Sequence, residues 1–313
     1  MKLIFNIFVA MLVMLTGSLV AKESVIKAPP KGNLRYTIMV EEFVNDSGWS
    51  GKHSIGDGMS TAMTNILSKS GWFVVIAEKD MREAAMKEQD FATSGRTVTG
   101  KKTAKMGRVT SAQLLVKGSI TNVQETGSKA GKLNFMGVSL GGSGGDAEIN
   151  ITIYLIDTTT GQVVASKDII GNSGSSGYSI GYSGTDLGGL TGAFGGESKD
   201  NIQKAVEDAS GQITNYLIDQ LESIPWEATV IMAKGNKIII NRGERDGVEV
   251  GKVFNVGEVE DLIDPDTGEL LDSEMSVVGA IKVTKVKEKI AYCKPIDGAN
   301  GVSKGMSVFT QDR

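Results

Sequence analysis

The placement of glycine constrains this chain more than any other feature of its sequence. Of its 40 glycines, seven lie in residues 127–145 and ten in residues 171–196, so 17 of them fall within 45 of the 313 residues. Even spacing would put about six there. The first segment interrupts strand-like sequence between Val123 and Ala147, and the second follows Ile170 and precedes a long helical pattern. The chain therefore carries two glycine-rich insertions, and their role decides which functions are open to it.

Two interpretations of these insertions stay open. The first is a pair of Gly/Ser-rich loops. The second is a pair of β-hairpins that enter a membrane when subunits assemble, because two spanning strands of about 9–11 residues and a turn fit into each segment. Large side chains alternate with small or polar ones in parts of both segments, although the alternation breaks after Phe135. The candidate membrane-hairpin residues are Leu133, Phe135, Tyr178, Ile180 and Tyr182.

The first 21 residues have the pattern of a signal peptide. Lys2 precedes an apolar run over residues 3–15 that only Asn6 interrupts, and the small residue Ala21 ends the segment. The run is shorter than the ~20 residues that a membrane-spanning helix needs. We therefore expect cleavage after Ala21 and export to the periplasm. Ser18 stands where a lipoprotein signal has cysteine, so no lipid anchor is expected.

Composition argues against several functional classes. The 33 Lys and Arg against 37 Asp and Glu give a net charge of −4, which lacks the basic excess of a nucleic-acid-binding protein. A single histidine, His53, and a single cysteine, Cys293, leave no usual zinc site and no internal disulfide. The loop from Gly95 to Lys101 fits a phosphate-binding loop poorly, since Lys102 occupies the Ser/Thr position. We expect no enzyme, no metal site, no cofactor and no nucleic-acid partner.

The period of the apolar residues predicts an α+β domain over residues 35–224, after a linker at 22–34. Apolar residues at helical spacing over Met59–Leu67 and again over Ile202–Leu221 predict two helices that each bury one face. A further helix is predicted over residues 80–89, with Met81, Ala84 and Ala85 facing inward. The intervening strand patterns predict a small mixed sheet, on which these helices pack and into which the two Gly/Ser-rich hairpins are inserted.

From Trp226 onward the helical period is replaced by short strand-like runs separated by Gly and Asp turns. Short strands at such spacing are typical of a small antiparallel barrel. The predicted second domain is therefore a small all-β, barrel-like unit over residues 226–313, with the domain boundary at Pro225. Asp264 and Asp266 suggest a calcium loop, but Gly268 stands where a further ligand belongs, so a hairpin turn is the better interpretation.

A series of short motifs occurs in a fixed order between residues 35 and 223. They are Val40-x-x-Phe43, Asn45-Asp46, Trp72-Phe73, Ala112-x-Leu114-Leu115-Val116-x-Gly118-Ser119-Ile120 and Leu155-Ile156-Asp157-x-x-Thr160-Gly161. In this order they resemble the curli secretion channel family, the CsgG-like proteins. The resemblance implies ring oligomers in the outer membrane, in which each subunit gives two hairpins to a shared barrel. The two glycine-rich segments lie where those hairpins would be.

The C-terminal part carries a second resemblance. Its motifs are Asn241-Arg242-Gly243-x-x-Asp246-Gly247-Val248-x-x-Gly251-x-x-Phe254 and Asp264-Pro265-Asp266-Thr267-Gly268. They resemble the C-terminal barrel of the flagellar T-ring assembly protein, a structural component of a surface machine.

Two functional hypotheses follow from the two resemblances. The first is a non-enzymatic, ring-forming outer-membrane or periplasmic protein of the curli secretion channel type, which serves export or assembly of surface material. The alternative is a soluble periplasmic scaffold, such as a ring around the flagellar basal body. Both predict a homo-oligomeric ring, and the first also predicts contact with the outer membrane. The sequence names neither the cargo nor a partner protein.

Overall fold

The computed structural model describes residues 25–51, 54–97, 100, 103–104, 109–126, 134–135, 138–139, 146–174, 179–180, 185–186, 201–268, 270–296 and 301–311. The helices are α1 (Ile55–Ser70), α2 (Lys79–Thr93) and α3 (Asn201–Gln220). The strands of the N-terminal part are β1 (Val25–Ile26), β2 (Tyr36–Val40), β3 (Val44–Asn45), β4 (Phe73–Ile76), β5 (Leu114–Thr126), β6 (Asn134–Phe135), β7 (Val138–Ser139), β8 (Asp146–Asp157), β9 (Val163–Asn172), β10 (Ser179–Ile180) and β11 (Thr185–Asp186). Those of the C-terminal part are β12 (Glu227–Lys234), β13 (Lys237–Ile240), β14 (Val253–Ile263), β15 (Leu270–Val286), β16 (Ala291–Pro295) and β17 (Ser307–Phe309).

The first unit is a mixed sheet with the strand order β4-β2-β5-β8-β9, and β3 also pairs with β5. β2 runs parallel to β4 and β5, whereas β8 pairs antiparallel with β5 and with β9. Every second residue of β8 from Ala147 to Leu155 is buried, as expected for a strand with one face on a core. The predicted α+β fold with a small mixed sheet is confirmed.

Helix α1 is capped at both ends. The Oγ atom of Ser54 accepts a hydrogen bond from the backbone N–H of Asp57, which caps the first turn. Gly71 ends the helix with φ +78°, a left-handed conformation that glycine adopts without strain. The predicted apolar face, represented by Met59, Met63 and Leu67, is buried in the core.

Helix α3 packs against β8, β9 and α1. Its predicted apolar stripe is buried, with Ala205, Ala209 and Ile213 each 0% exposed. The helix lies very close to the sheet at Gly171, because a Cβ atom there would lie 2.2 Å from the carbonyl oxygen of Ala205. Only glycine allows this approach, which fixes the helix against the end of β9.

Helix α2 forms near the predicted position, but the prediction of its inward face is wrong. Met81 is 62% exposed, Ala84 and Ala85 are exposed, and Ala92 alone is buried. The physical reason is the position of the helix in the fold. It follows β4, the edge strand of the sheet, and it makes little contact with any other helix or strand that the structure describes.

The C-terminal part is a closed barrel with the order β12-β13-β16-β15-β14-β17, in which β17 also pairs with β12. All of these pairs are antiparallel. Its core includes Val230, Phe254 and Ile281, and Trp226 stacks on Phe254 with ring centroids 5.1 Å apart. The predicted small barrel is confirmed. The domain boundary at Pro225 stays a prediction, which a fragment experiment can test.

Candidate assembly and membrane surfaces

Both glycine-rich insertions leave the sheet at the same end. Thr126, the last residue of β5, pairs with Asp146, the first residue of β8, so the first insertion connects adjacent strand ends. Glu148, two residues into β8, pairs with Asn172, the last residue of β9, after which the second insertion begins. The backbone N–H of Asn172 donates to Oδ2 of Asp208 in the first half of α3, at 2.9 Å. The fold therefore brings both ends of both insertions to one edge of the molecule.

Each insertion contains a short antiparallel strand pair. In the first, β6 pairs with β7, with Phe135 opposite Val138. In the second, β10 pairs with β11, and β1 from the start of the described chain joins β10 in parallel. The pairing of β1 brings residues 25–26 beside residues 179–180, a contact that sequence reasoning missed because nothing local marks so distant a partner. An antiparallel pair in each insertion is what a hairpin requires.

The candidate membrane-hairpin residues are only partly within the described chain. Phe135 lies in β6 and Ile180 lies in β10. Leu133, Tyr178 and Tyr182 lie outside the described residues. That any of the five faces lipid stays a prediction.

The barrel carries a projecting β-ribbon that the sequence analysis missed. From Glu258 to Ile263, β14 pairs only with β15, and from Leu270 to Val277, β15 pairs only with β14. Nearer the barrel, β14 also pairs with β17, and β15 also pairs with β16. Residues 258–277 form this acidic ribbon, which has eight Asp and Glu and no Lys or Arg. Its exposed large apolar side chains are Leu262, Ile263, Leu271 and Val277.

The turn of the ribbon is held by its own carboxylate. Oδ1 of Asp264 accepts hydrogen bonds from the backbone N–H groups of Asp266 at 2.7 Å and of Thr267 at 3.1 Å. These bonds lower the pKa of the Asp264 carboxyl below its usual value, because they stabilise its charged form. A hairpin turn is confirmed here. Among the described residues, no group of three or more His, Cys, Asp and Glu side chains could hold a metal ion.

Lysines cover a different part of the same barrel. The ammonium groups of Lys237, Lys285 and Lys287 lie 5.6, 5.9 and 5.8 Å from the ring centroid of Tyr292. Lys282 and Lys294 are directly opposite each other on β15 and β16. These five residues, all exposed, form the lysine face. Cation–π attraction to Tyr292 compensates part of the repulsion among them.

The motif Asn241-Arg242-Gly243-x-x-Asp246-Gly247 forms a buried turn. Asp246 is 0% exposed, and its Oδ2 accepts a hydrogen bond from the backbone N–H of Gly243 at 3.0 Å. Its Oδ1 lies 3.7 Å from a guanidinium nitrogen of Arg242 and 3.7 Å from one of Arg245. Burial lowers the pKa of Arg242, and the charge of Asp246 opposes that shift. The residues of the motif therefore have a structural role, which is to hold this turn.

A cleft of about 540 Å³ lies where residues 27–34 cross between the two units. The Nε1–H group of Trp72 donates to the carbonyl oxygen of Lys27 at 2.7 Å, and the ammonium of Lys27 pairs with Asp219. On the barrel side, the backbone N–H of Arg35 donates to the carbonyl oxygen of Asp246 at 2.9 Å. The sequence did not reveal this cleft, because segments distant in the chain form its walls.

The remaining single-residue candidates are Cys293, His53, Lys101 and Lys102. Cys293 is 2% exposed, and burial raises the pKa of its thiol to about 12, so it is a packed core residue. His53, Lys101 and Lys102 lie outside the described residues. Within the part of the chain that the structure describes, the helices are too short or too polar to cross a membrane.

A model of the family described as "Curli production assembly/transport component CsgG" matches residues 19–237. The match spans more than half of the chain, and the protein belongs to this family. The predicted resemblance over residues 35–223 is thereby confirmed. No match was found among the curated proteins.

Several solved structures are similar to parts of this chain. The PelC dodecamer from Paraburkholderia phytofirmans is 14% identical, with 61% of this chain and 92% of that chain covered and a TM-score of 0.30. The hypothetical protein CT253 from Chlamydia trachomatis is 11% identical, with coverages of 60% and 97% and a TM-score of 0.32. The LpoB C-terminal domain from Escherichia coli is 13% identical, with coverages of 51% and 92% and a TM-score of 0.25.

Proposed function

We propose that this protein is an exported, ring-forming component of a secretion or surface-assembly system, and that its two glycine-rich segments supply hairpins to a barrel shared by several subunits in the outer membrane. Membership of the CsgG family supports the class of transport and assembly components. The signal-like segment over residues 1–21 supports export to the periplasm. The proposed role requires no catalytic residue and no cofactor.

The observation that carries the proposal is the common exit of the two insertions. Thr126 faces Asp146 and Glu148 faces Asn172, so both segments leave the same end of three adjacent strands. Two hairpins that start from one edge can enter one membrane side by side. Insertions at opposite ends of the sheet could not do so.

The number of strands requires several subunits. Two hairpins provide four strands, and the smallest transmembrane barrels have about eight. An open edge in lipid would leave backbone N–H and C=O groups without partners, at a cost of several kcal/mol for each group. Insertion therefore requires neighbours that close the barrel, and a ring of subunits provides them.

Membrane fractionation of the full chain and of a variant lacking residues 175–196 tests the proposal. The deletion begins after Gly174, so that β9, which ends at Asn172, stays intact. We expect the full chain in the outer-membrane fraction and the variant in the soluble fraction, with unchanged circular dichroism of the helices. A full chain that stays soluble at high concentration would contradict the membrane step.

Point variants within one hairpin give a matched comparison. Insertion requires β10 to separate from β1. If alternate residues of β10 then face lipid, Ile180→Lys reduces insertion by about 2–4 kcal/mol at the bilayer centre, while Ser179→Lys, one position away, faces the lumen and is tolerated. Equal effects of the two substitutions would argue against strands that span the membrane.

The alternative function, a soluble periplasmic scaffold around a surface machine, is favoured by one observation. The family match ends at residue 237, yet β14 to β17 continue beyond it and complete a closed barrel. This additional module could attach the protein to a larger assembly. Rings that form in the soluble fraction from the full chain and the deletion variant alike would support the scaffold.

A further inference from the structure

We propose that the acidic ribbon of one subunit docks on the lysine face of a second copy, and that this contact joins subunits head to tail. The inference rests on the self-assembly proposed above and is independent of the membrane step. Its two surfaces belong to the barrel, so it assigns an assembly role to the module that lies mostly outside the family match.

The ribbon is a sheet segment without a partner. Between residues 258 and 263 on β14 and 270 and 277 on β15, each strand pairs only with the other. An isolated two-stranded ribbon is marginally stable in water. Its large apolar side chains are nevertheless exposed, with Ile263 at 57%, Leu271 at 63% and Val277 at 57%. Such a ribbon gains both order and apolar burial when another surface covers it.

The charge of the ribbon indicates what covers it. Glu260 is directly opposite Glu274, an arrangement that destabilises a strand pair. Within the described chain, no ribbon carboxylate lies within ion-pair distance of a lysine or arginine. The ribbon is therefore repelled by itself and complementary to a cationic surface.

The lysine face has an excess of positive charge. Lys282 is directly opposite Lys294, and three more ammonium groups surround Tyr292. None of these lysines forms an ion pair with a described carboxylate. Docking of the ribbon on the lysine face therefore reduces the like-charge repulsion on both surfaces.

The two surfaces cannot neutralise each other within one subunit. The ribbon carboxylate nearest the face along the strands is Glu258, which is opposite Ser276, six residues from Lys282 on β15. Six residues of strand span about 20 Å, whereas the screening length at physiological salt is about 8 Å. Contact between them therefore requires a second copy. Because the ribbon and the face are different surfaces, the contact is head to tail and closes into a ring when the rotation allows it.

Charge reversal provides the test, with sedimentation velocity of the full chain in detergent at low salt and at ~0.5 M salt. The ribbon variant carries Glu260→Lys and Glu274→Lys, and the face variant carries Lys282→Glu and Lys285→Glu. All four residues are exposed or part-exposed, so both variants should fold with unchanged circular dichroism. We expect each variant to weaken self-association about 100-fold, and high salt to weaken the unmodified protein as well.

Restoration of the charge pair distinguishes docking from a general charge effect. A chain with all four substitutions should associate to within about tenfold of the unmodified protein, because its basic ribbon then meets an acidic face. An equimolar mixture of the ribbon variant and the face variant should also associate. The matched control, Glu88→Lys with Asp90→Lys on the exposed helix α2, should leave association unchanged.

The outcomes separate this inference from the proposed function. A protein that stays monomeric under every condition overturns the assembly itself and this contact with it. Oligomers that neither variant affects leave the assembly standing and overturn the contact. If the ribbon variant loses self-association but the fourfold variant does not recover it, the ribbon contacts a surface of the second copy other than the lysine face, and this proposal is wrong.

Discussion

The helix-and-sheet unit and the barrel obtain their cores in different ways. In the first unit, α1 and α3 cover one face of the sheet, and buried polar side chains such as Ser210 and Thr214 bond to helix carbonyls one turn earlier. The barrel closes on itself and buries the carboxylate of Asp246 beside two arginines. The first unit therefore packs apolar layers and also buries the carboxylates of Glu207 and Asp208 on α3, whereas the barrel buries its carboxylate beside two arginines.

The largest expected effect is in the first unit. Ile213→Asp places a lone charge at a 0% exposed position of α3, and we expect it to cost more than ~4 kcal/mol and to unfold this unit. Urea unfolding followed by circular dichroism measures the loss. The control, Ile213→Val, should cost only about 1 kcal/mol. A folded Asp variant that lacks only its oligomers would place this stripe at a subunit interface.

The barrel should respond most to loss of its buried carboxylate. Asp246→Ala leaves Arg242 and Arg245 without their counter-charge and removes the acceptor of the Gly243 N–H, so we expect a loss of about 3–5 kcal/mol. Chemical denaturation of a full chain that also carries Trp49→Phe and Trp72→Phe, so that the fluorescence comes from Trp226, gives the value. The same change at Asp266 in the exposed turn should stay within about 0.5 kcal/mol. Equal effects would mean that the charge cluster stabilises nothing.

Separation of the two units tests whether the barrel is independent. A fragment of residues 226–313 retains all six barrel strands and should fold as an all-β monomer. It loses two hydrogen bonds with the preceding chain, from the Arg35 N–H to the Asp246 carbonyl and from the Lys252 ammonium to the Gly32 carbonyl. We therefore expect it to be about 2–3 kcal/mol less stable than the barrel in the full chain, by urea denaturation. An unfolded fragment would show that the boundary at Pro225 is misplaced.

The smallest effect is a dependence on pH. Because burial raises the pKa of Cys293 to about 12, the folded protein keeps this thiol protonated over a range in which the unfolded chain loses the proton. The unfolded chain then binds fewer protons, so stability falls as the pH rises from about 8.5 toward 12. Relative to Cys293→Ala, the unmodified protein should lose about 1–2 kcal/mol between pH 8 and pH 10 in urea denaturation. Parallel pH profiles would contradict the assignment.

Local sequence patterns predicted the helices that have a repeating apolar face and the turn whose hydrogen-bond partners are a few residues apart. The stripes of α1 and α3 and the turn at Asp264 each depend on residues within one short window, and the structure contains each of them. The same reasoning failed for α2. Its apolar residues recur at helical spacing, but it follows the edge strand of the sheet, where no other described helix or strand covers them.

The candidate surfaces were predicted only in part. The two insertions are visible in the sequence as glycine clusters, and the eight acidic residues of the ribbon can be counted there. Their common exit, however, depends on the register of β5, β8 and β9. The lysine face likewise forms only when β13, β15 and β16 bring their lysines around Tyr292.

By itself the sequence determined the family, the order of helices and strands, and the change from helical to strand period at Trp226, because each is encoded in neighbouring residues. The tertiary structure alone decided which surfaces stay exposed. It paired Val25 with Ser179, extended β14 and β15 beyond the barrel, and placed acidic and basic charges at opposite ends of one strand. Burial and charge separation depend on contacts between residues that are far apart in the chain, and no local pattern encodes them.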